Sequence, residues 1–214
     1  MPKMKITIIG ASRGIGRKAV DYALSRGHVV RGLARSADHM GLDADAFEPI
    51  AGDATDPTTL ARAVAGADAV ILTLGVPRDL RALRHTTLFS DATRALIPAM
   101  QAAGVTRLLA VTGFGAGDSA AKLSSLEKIP FTLFLGRAYA DKAKQEDLIR
   151  ASGLDWTIAR PGILNDNAMT GKYRVLVDPD TWRQGLISRA DVAHFLIHAA
   201  EDGSYIGKTP ALQR

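Results

Sequence analysis

Lys5-Ile-Thr-Ile-Ile-Gly-Ala-Ser-Arg-Gly-Ile-Gly-Arg-Lys-Ala-Val20 reads as a strand, a glycine turn and the start of a helix. Ile6, Ile8 and Ile9 form a β-branched run with no polar stripe, the pattern of a strand buried on both faces. Gly10, Gly14 and Gly16 follow at once. Glycine there permits a tight turn, a close approach of backbone to a ligand, and tight seating of helix on strand. The helix that opens after the loop aims its unpaired N–H groups and positive dipole end back at it. That makes an anion site, suited to a pyrophosphate.

The spacing G-x-x-x-G-x-G shares only part of the dinucleotide fingerprint G-x-G-x-x-G, so a glycine-rich turn without a ligand is the competing reading. The helix is expected from Gly14 to Arg26, with Gly27 as its stop. His28 to Ala34 follows as the second strand. A nicotinamide dinucleotide without the extra phosphate is commonly held after that strand by an acid on the ribose hydroxyls. This chain has Arg35 and Ser36 instead. An arginine fork suits a ribose phosphate, and Arg13 in the glycine loop can approach the same group. NADP(H) is therefore expected over NAD(H); the alternative is that Arg35 is a solvated loop residue. Phe47 to Ala51 reads as a third strand, followed by Gly52-Asp-Ala-Thr-Asp56. Asp53 can accept from an adenine amino group or be one more turn residue. Asp56 can cap a helix over 57–65, with Pro57 at its first position.

Ala69 to Leu74 is a continuous apolar fourth strand ending in Gly75. That glycine lets backbone pass close to a cofactor, or only turns the chain into Val76-Pro77. A helix over 86–103 and a fifth strand from Arg107 to Thr112 follow. Strands alternating with helices argue an α/β fold, a doubly wound parallel sheet of Rossmann type. Ligands in such sheets lie beyond the carboxyl ends of the strands, where Gly10, Arg35, Asp53, Gly75 and Thr112 all fall. The stretch from Asp118 to Arg137 is less regular, and its apolar part, Ile129 to Gly136, reads as a lid or as core packing. A helix is expected over 138–152, then a sixth strand over 156–160 broken by Pro161-Gly162. A polar loop over 165–171, a strand over 172–177, a last helix capped by Ser188 and a strand in the tail complete the chain. A single dinucleotide-binding domain over 1–214 is expected, with substrate-side elements in 113–137 and 163–188.

Composition narrows the class. A chain of 214 residues with 47% hydrophobic residues can bury a sizeable core in one domain. No apolar run is long enough to span a bilayer, and Met1-Pro2-Lys3 runs straight into a strand, so no signal peptide and no membrane association are expected. Cysteine is absent, which excludes disulfides, thiol catalysis and thiolate metal sites and fits a cytoplasmic setting. The net charge of +5 comes from scattered arginines without a block of like charge. A phosphate-bearing small molecule is then a more economical partner than nucleic acid. Composition leaves a monomer and a homodimer equally open.

Three passages carry a family resemblance. Gly10-Ala-Ser-Arg-Gly-Ile-Gly16 resembles the glycine motif of the short-chain dehydrogenases/reductases. Ser152-Gly-Leu-Asp-Trp-Thr-Ile-Ala-Arg-Pro-Gly162 resembles the SGLxxTxxRPG passage of their atypical members, and Ser188-Arg-Ala-Asp-Val-Ala193 their S-x-x-D-V-A helix start. Within that superfamily the chain is similar to the small NAD(P)H-binding reductases of the flavin reductase and biliverdin-IXβ reductase group. Leu74-Gly75 with Arg78-Asp79-Leu80 resembles that group's LGTRNDL, and Met169-Thr-Gly-Lys-Tyr173 its LTGAY. The resemblance implies an oxidoreductase with NADP(H) as cofactor. It implies that Gly10, Ser12, Arg13, Gly14, Ile15 and Gly16 hold the pyrophosphate and Arg35 the ribose phosphate. Asp53 and Ala54 would flank the adenine, and Leu74 and Gly75 the adenosine ribose. Thr112 would approach the nicotinamide side, and Pro161, Gly162 and Ile163 would line its carboxamide.

Many members use Tyr-x-x-x-Lys on one helix face, the lysine holding the nicotinamide ribose and lowering the tyrosine pKa. Here Lys142 falls at the lysine position, but Ala138 stands four residues before it and Tyr139 is about 100° round the helix. Either Tyr139 reaches the site by a local shift, or no tyrosine acts and the acceptor manages its own proton. The second reading suits a flavin or a linear tetrapyrrole and is favoured. Lys142, Tyr139 and Thr112 are the catalytic candidates; solvated helix lysine and strand-end threonine are the plainer roles. The expected function is an NADPH-dependent reductase of a small planar conjugated acceptor. The alternatives are an NmrA-like dinucleotide-binding regulator without turnover and a sugar-nucleotide epimerase-like enzyme. His194 and His198 are one turn apart, but no third ligand accompanies them, so no metal site is expected. His85 could contact substrate. Trp182 and Tyr173 either stack on a flat substrate or pack the core.

Overall fold

The computed structural model describes residues 2–42, 45–75, 87–123 and 125–214, the stretch 125–134 as backbone alone. The chain runs β1 (Lys5–Ile9), α1 (Gly14–Ser25), β2 (Val29–Ala34), β3 (Phe47–Ala51), α2 (Pro57–Val64), β4 (Ala69–Leu72), α3 (Leu88–Ala102) and β5 (Arg107–Val111). It continues α4 (Ser125–Arg150), β6 (Asp155–Pro161), β7 (Ile163–Asn165), β8 (Arg174–Leu176), β9 (Leu186–Ser188), α5 (Arg189–Glu201) and β10 (Ala211–Gln213). The main sheet has the order β3-β2-β1-β4-β5-β6-β10-β8, while β7 and β9 pair separately. Pairing is parallel throughout the main sheet except between β10 and β8. The strand order reverses between β1 and β4, the crevice where a doubly wound sheet places its ligand.

Two apolar layers cover the sheet, and alternate residues of one strand serve each. Ile8, Ile71 and Leu109 face the layer built with α1 and α5, whereas Ile9, Leu72 and Leu108 face the layer that carries Leu60, Leu96 and Ile149 of α2, α3 and α4. Burial on both faces explains why these strands read as continuous apolar runs. Asp56 caps α2, accepting from the backbone N–H of Thr58 and Thr59 with Pro57 in the first turn, as expected.

Two boundaries differ from the sequence reading. The stretch after 125 is helix, not an irregular connection: α4 is one helix from Ser125 to Arg150. Pro130 and the aromatic and β-branched residues beside it mask helical periodicity, and the helix passes through them. Pro161 does not break β6 but ends it within the ladder, and β7 resumes at Ile163.

Candidate functional site

The glycine loop is shaped by close backbone approach. Gly10 has φ +87°, and a Cβ there would stand 3.0 Å from the Thr73 carbonyl oxygen. A Cβ on Gly16 would lie 2.1 Å from the Gly10 carbonyl oxygen and 2.6 Å from Thr73 Oγ1. Side chains at either position would push α1 off the end of β1. Thr73, just past β4, closes the crevice floor by donating both its N–H (2.9 Å) and its hydroxyl (2.8 Å) to the Ile9 carbonyl. Gly14, with φ +59°, is the first residue of α1, and Arg13 precedes it as an exposed N-cap in extended conformation without a side-chain cap. No acid stands in the first turn. The first N–H groups of α1 therefore keep their capacity for an anion. Ser12 is half-buried, while Ile15 and Gly16 turn inward.

Arg35 is exposed immediately after β2. It lies within electrostatic reach of Asp53, whose carboxyl is held below the usual range mainly by the Thr55 N–H and hydroxyl. Both Thr55 bonds, 2.8 Å each, fall on Asp53 Oδ1, so the turn role foreseen for Asp53 is realised. Ala54 is half-buried beside it, as is Leu74 past β4; Gly75 is exposed. Arg78-Asp79-Leu80 and His85 lie outside the described residues.

At the end of β5 the catalytic candidates come together. Lys142 is buried on α4, and its ammonium donates to the Val111 carbonyl at 3.3 Å and lies 4.4 Å over the Phe89 ring. Burial pulls its pKa down to about 8, against the opposing pull of Glu146 and Asp141. Ala138 is fully buried. Tyr139 turns to the strand end: a Cβ on Gly113 would stand 2.5 Å from its hydroxyl oxygen. Tyr139 and Lys142, three apart, share a helix face. Burial pushes the Tyr139 phenol up to about 12. The Thr112 hydroxyl donates to Glu146 Oε1 at 2.7 Å, so it serves the strand-end network.

That network was not anticipated from sequence. Glu146 and Arg160, both without solvent exposure, form a forked pair: Nε to Oε1 at 3.0 Å and Nη2 to Oε2 at 2.5 Å. Asp118 pairs with the same guanidinium, and Trp182 stacks on it at 4.8 Å. Trp182 is thus packing, one of the two roles considered for it. The signals were present as Glu146 one helical turn past Lys142 and a lone arginine inside an apolar strand. Asp141 was also missed; it caps α3 from α4, accepting from the N–H of Phe89 and Ser90 and the Ser90 hydroxyl.

Beyond β6 the chain leaves the main sheet for the separate β7–β9 pair. A Cβ on Gly162 would stand 2.1 Å from the Gly185 carbonyl oxygen, so this glycine admits the β7–β9 pair. Pro161 is buried, while Ile163 and its cross-strand partner Leu186 are 54% and 56% exposed, a small apolar ledge. His194 and His198 are tied up structurally: Tyr173 pairs with His194 Nδ1 at 2.8 Å and Tyr22 with His198 Nε2 at 3.0 Å. Among the described residues no group of three or more possible metal ligands occurs, and no helix is long and apolar enough to cross a membrane.

A sequence model of an NAD(P)H-binding family matches residues 10–203. Among characterised and uncharacterised relatives, the uncharacterized sugar epimerase YhfK of Bacillus subtilis is 29% identical over 202 residues, covering 93% of this chain and 89% of YhfK. The NAD(P)H azoreductase of Xenophilus azovorans is 27% identical over 165 residues, 77% of this chain and 50% of that protein. Among solved structures, ChuY, an anaerobilin reductase from Escherichia coli O157:H7, superposes with a TM-score of 0.79 at 28% identity, covering 98% of this chain and 96% of ChuY.

Proposed function

The chain belongs to the NAD(P)H-binding family, and from that premise we propose that it is an NADPH-dependent reductase of a planar conjugated acceptor such as a flavin or a linear tetrapyrrole. The carrying observation is the arrangement at the β5 end. The lysine of the family's pair is buried there, yet the neighbouring phenol is pushed up to about 12 rather than primed for ionisation. A site without a poised acid suits an acceptor that accepts hydride and draws its proton from solvent. The azoreductase and the anaerobilin reductase, by their names, also reduce conjugated systems.

The residues fit the cofactor. Gly10 and Gly16 let α1 seat tightly on the end of β1, and its open N-terminus suits a pyrophosphate held by Ser12, Arg13, Gly14 and Ile15. Arg35 would take the ribose phosphate, its guanidinium fork matching phosphate oxygens. Asp53 and Ala54 would border the adenine, Leu74 and Gly75 its ribose, and Lys142 the nicotinamide ribose. Pro161, Gly162 and Ile163 would line the carboxamide side. When bound, NADPH supplies the hydride. The protein's part is to hold the acceptor flat against it, and the exposed Ile163–Leu186 ledge offers an apolar surface for that.

The test is NADPH oxidation, followed by absorbance, with FMN, riboflavin or biliverdin present. Oxidation above the enzyme-free rate supports the reductase. Tight NADPH binding with no turnover on any acceptor would favour the regulator. The epimerase reading that the YhfK name suggests is disfavoured by Ala138 at the tyrosine position.

A further inference from the structure

We propose that Arg189 bridges the cofactor's pyrophosphate and Asp166, so that cofactor binding fastens the strap 166–171 beside the site; this rests on the NAD(P)H reading above. Arg189 is the first residue of α5, a helix that shares one apolar layer with α1. Its side chain runs beside the first residue of α1: a Cβ built on Gly14 would stand 3.9 Å from Arg189 Cδ. Nη1 donates to Asp166 Oδ1 at 2.8 Å, and the side chain is 16% exposed. A guanidinium carries five N–H donors in a fork. Among the described residues Asp166 is the acceptor that this one meets, so donors remain beside the N-terminus of α1.

Charge explains the pairing. A carboxylate close to an anion site repels the anion. With a guanidinium between them, the same carboxylate and the phosphate share one cation. The far end of the strap is held independently. Asp191 of α5 accepts from the N–H of Thr170 (2.7 Å) and Gly171 (2.9 Å) and from the Thr170 hydroxyl (3.0 Å). In a capping box an acid at this position would reach back to the Ser188 N–H; here it faces the strap. Arg189 thus ties down the Asp166 end, and a phosphate on its other donors fixes the guanidinium and with it the strap.

The experiment titrates NADPH and NADH into the wild type, Arg189→Ala, Arg189→Lys and Asp166→Asn, followed by nicotinamide fluorescence. Hydrogen exchange of 166–169 is measured with and without NADP+. Arg189→Ala should weaken both dinucleotides on the order of ten- to a hundredfold, the scale of a charge-assisted hydrogen bond, and Arg189→Lys should restore part of it. NADP+ should slow exchange in the wild-type strap but not in Arg189→Ala or Asp166→Asn. A wild type that binds neither dinucleotide overturns the NAD(P)H reading itself. A wild type that binds while Arg189→Ala binds equally well overturns this inference alone. A loss confined to NADPH overturns the pyrophosphate assignment, and unchanged strap protection in Arg189→Ala overturns the bridge.

Discussion

Removing the Glu146 carboxylate strips four hydrogen bonds at once, the longest of them from Arg150 Nη2 at 3.4 Å. Arg160 loses its forked partner at 3.0 and 2.5 Å, and the Thr112 hydroxyl loses its acceptor at 2.7 Å. Lys142 loses the largest of the charges that hold up its pKa, which should then fall below about 8. Breaking a buried pair by deleting one partner costs about 3–5 kcal/mol, because the remaining charge is left in the interior. Asp118 still contacts Arg160 from the surface, which places Glu146→Ala near the lower end, about 3 kcal/mol. For a chain of this size each kcal/mol lowers the melting midpoint by about 2–4 °C, so a fall of about 6–12 °C is expected. Calorimetry and urea unfolding of the cofactor-free protein measure it. The double variant Glu146→Leu/Arg160→Leu removes both charges and should recover most of the loss. A single variant within about 1 kcal/mol of wild type, or a double variant no better than the single, would refute the view that an uncompensated guanidinium sets the cost.

Four further outcomes follow from the same geometry. Gly16→Ala places a methyl 2.1 Å from the Gly10 carbonyl oxygen, so it should cost several kcal/mol of stability or abolish dinucleotide binding, read by melting and by fluorescence titration. Arg35→Ala should weaken NADPH about tenfold or more while leaving NADH within about twofold; equal losses for both would remove Arg35 from the ribose phosphate. Tyr139→Phe should retain turnover within a few-fold, whereas a fall of about a hundredfold or more would make the phenol the proton donor. Lys142 titrates near 8 in the folded chain against 10.5 for the free side chain. Between those values the unfolded chain binds more protons, so stability rises with pH across that window, by up to about 3 kcal/mol. Urea unfolding at pH 7.5 and 10 should show this rise in the wild type and not in Lys142→Met.

Much of the sheet was legible because its strands are buried on both faces. Such strands must be apolar at every position, and runs like Ala69 to Leu72 admit few other readings. The caps at Asp56 and Ser188 were legible because a side-chain oxygen there satisfies N–H groups two or three residues away. The first half of α4 was not. Pro130 and its aromatic neighbours argue locally against a helix, and the helix runs through them regardless.

The glycine loop divides along the same line. Local sequence determined that Gly10 and Gly16 stand between a buried strand and a helix, because turn geometry and helix polarity depend on adjacent residues. The Thr73 atoms that both glycines avoid were placed there by the pairing of β1 with β4, some sixty residues on, whereas the Gly10 carbonyl that Gly16 also avoids belongs to the loop itself. Lys142 was recognisable by its register. Its lowered pKa, its neighbour Phe89, the Glu146–Arg160 pair and the reach of Arg189 to the first residue of α1 arise only when distant segments share one interior. Local chemistry fixed which residues could serve the site. Burial and long-range contact, which no short window of sequence contains, decided their charge states and partners.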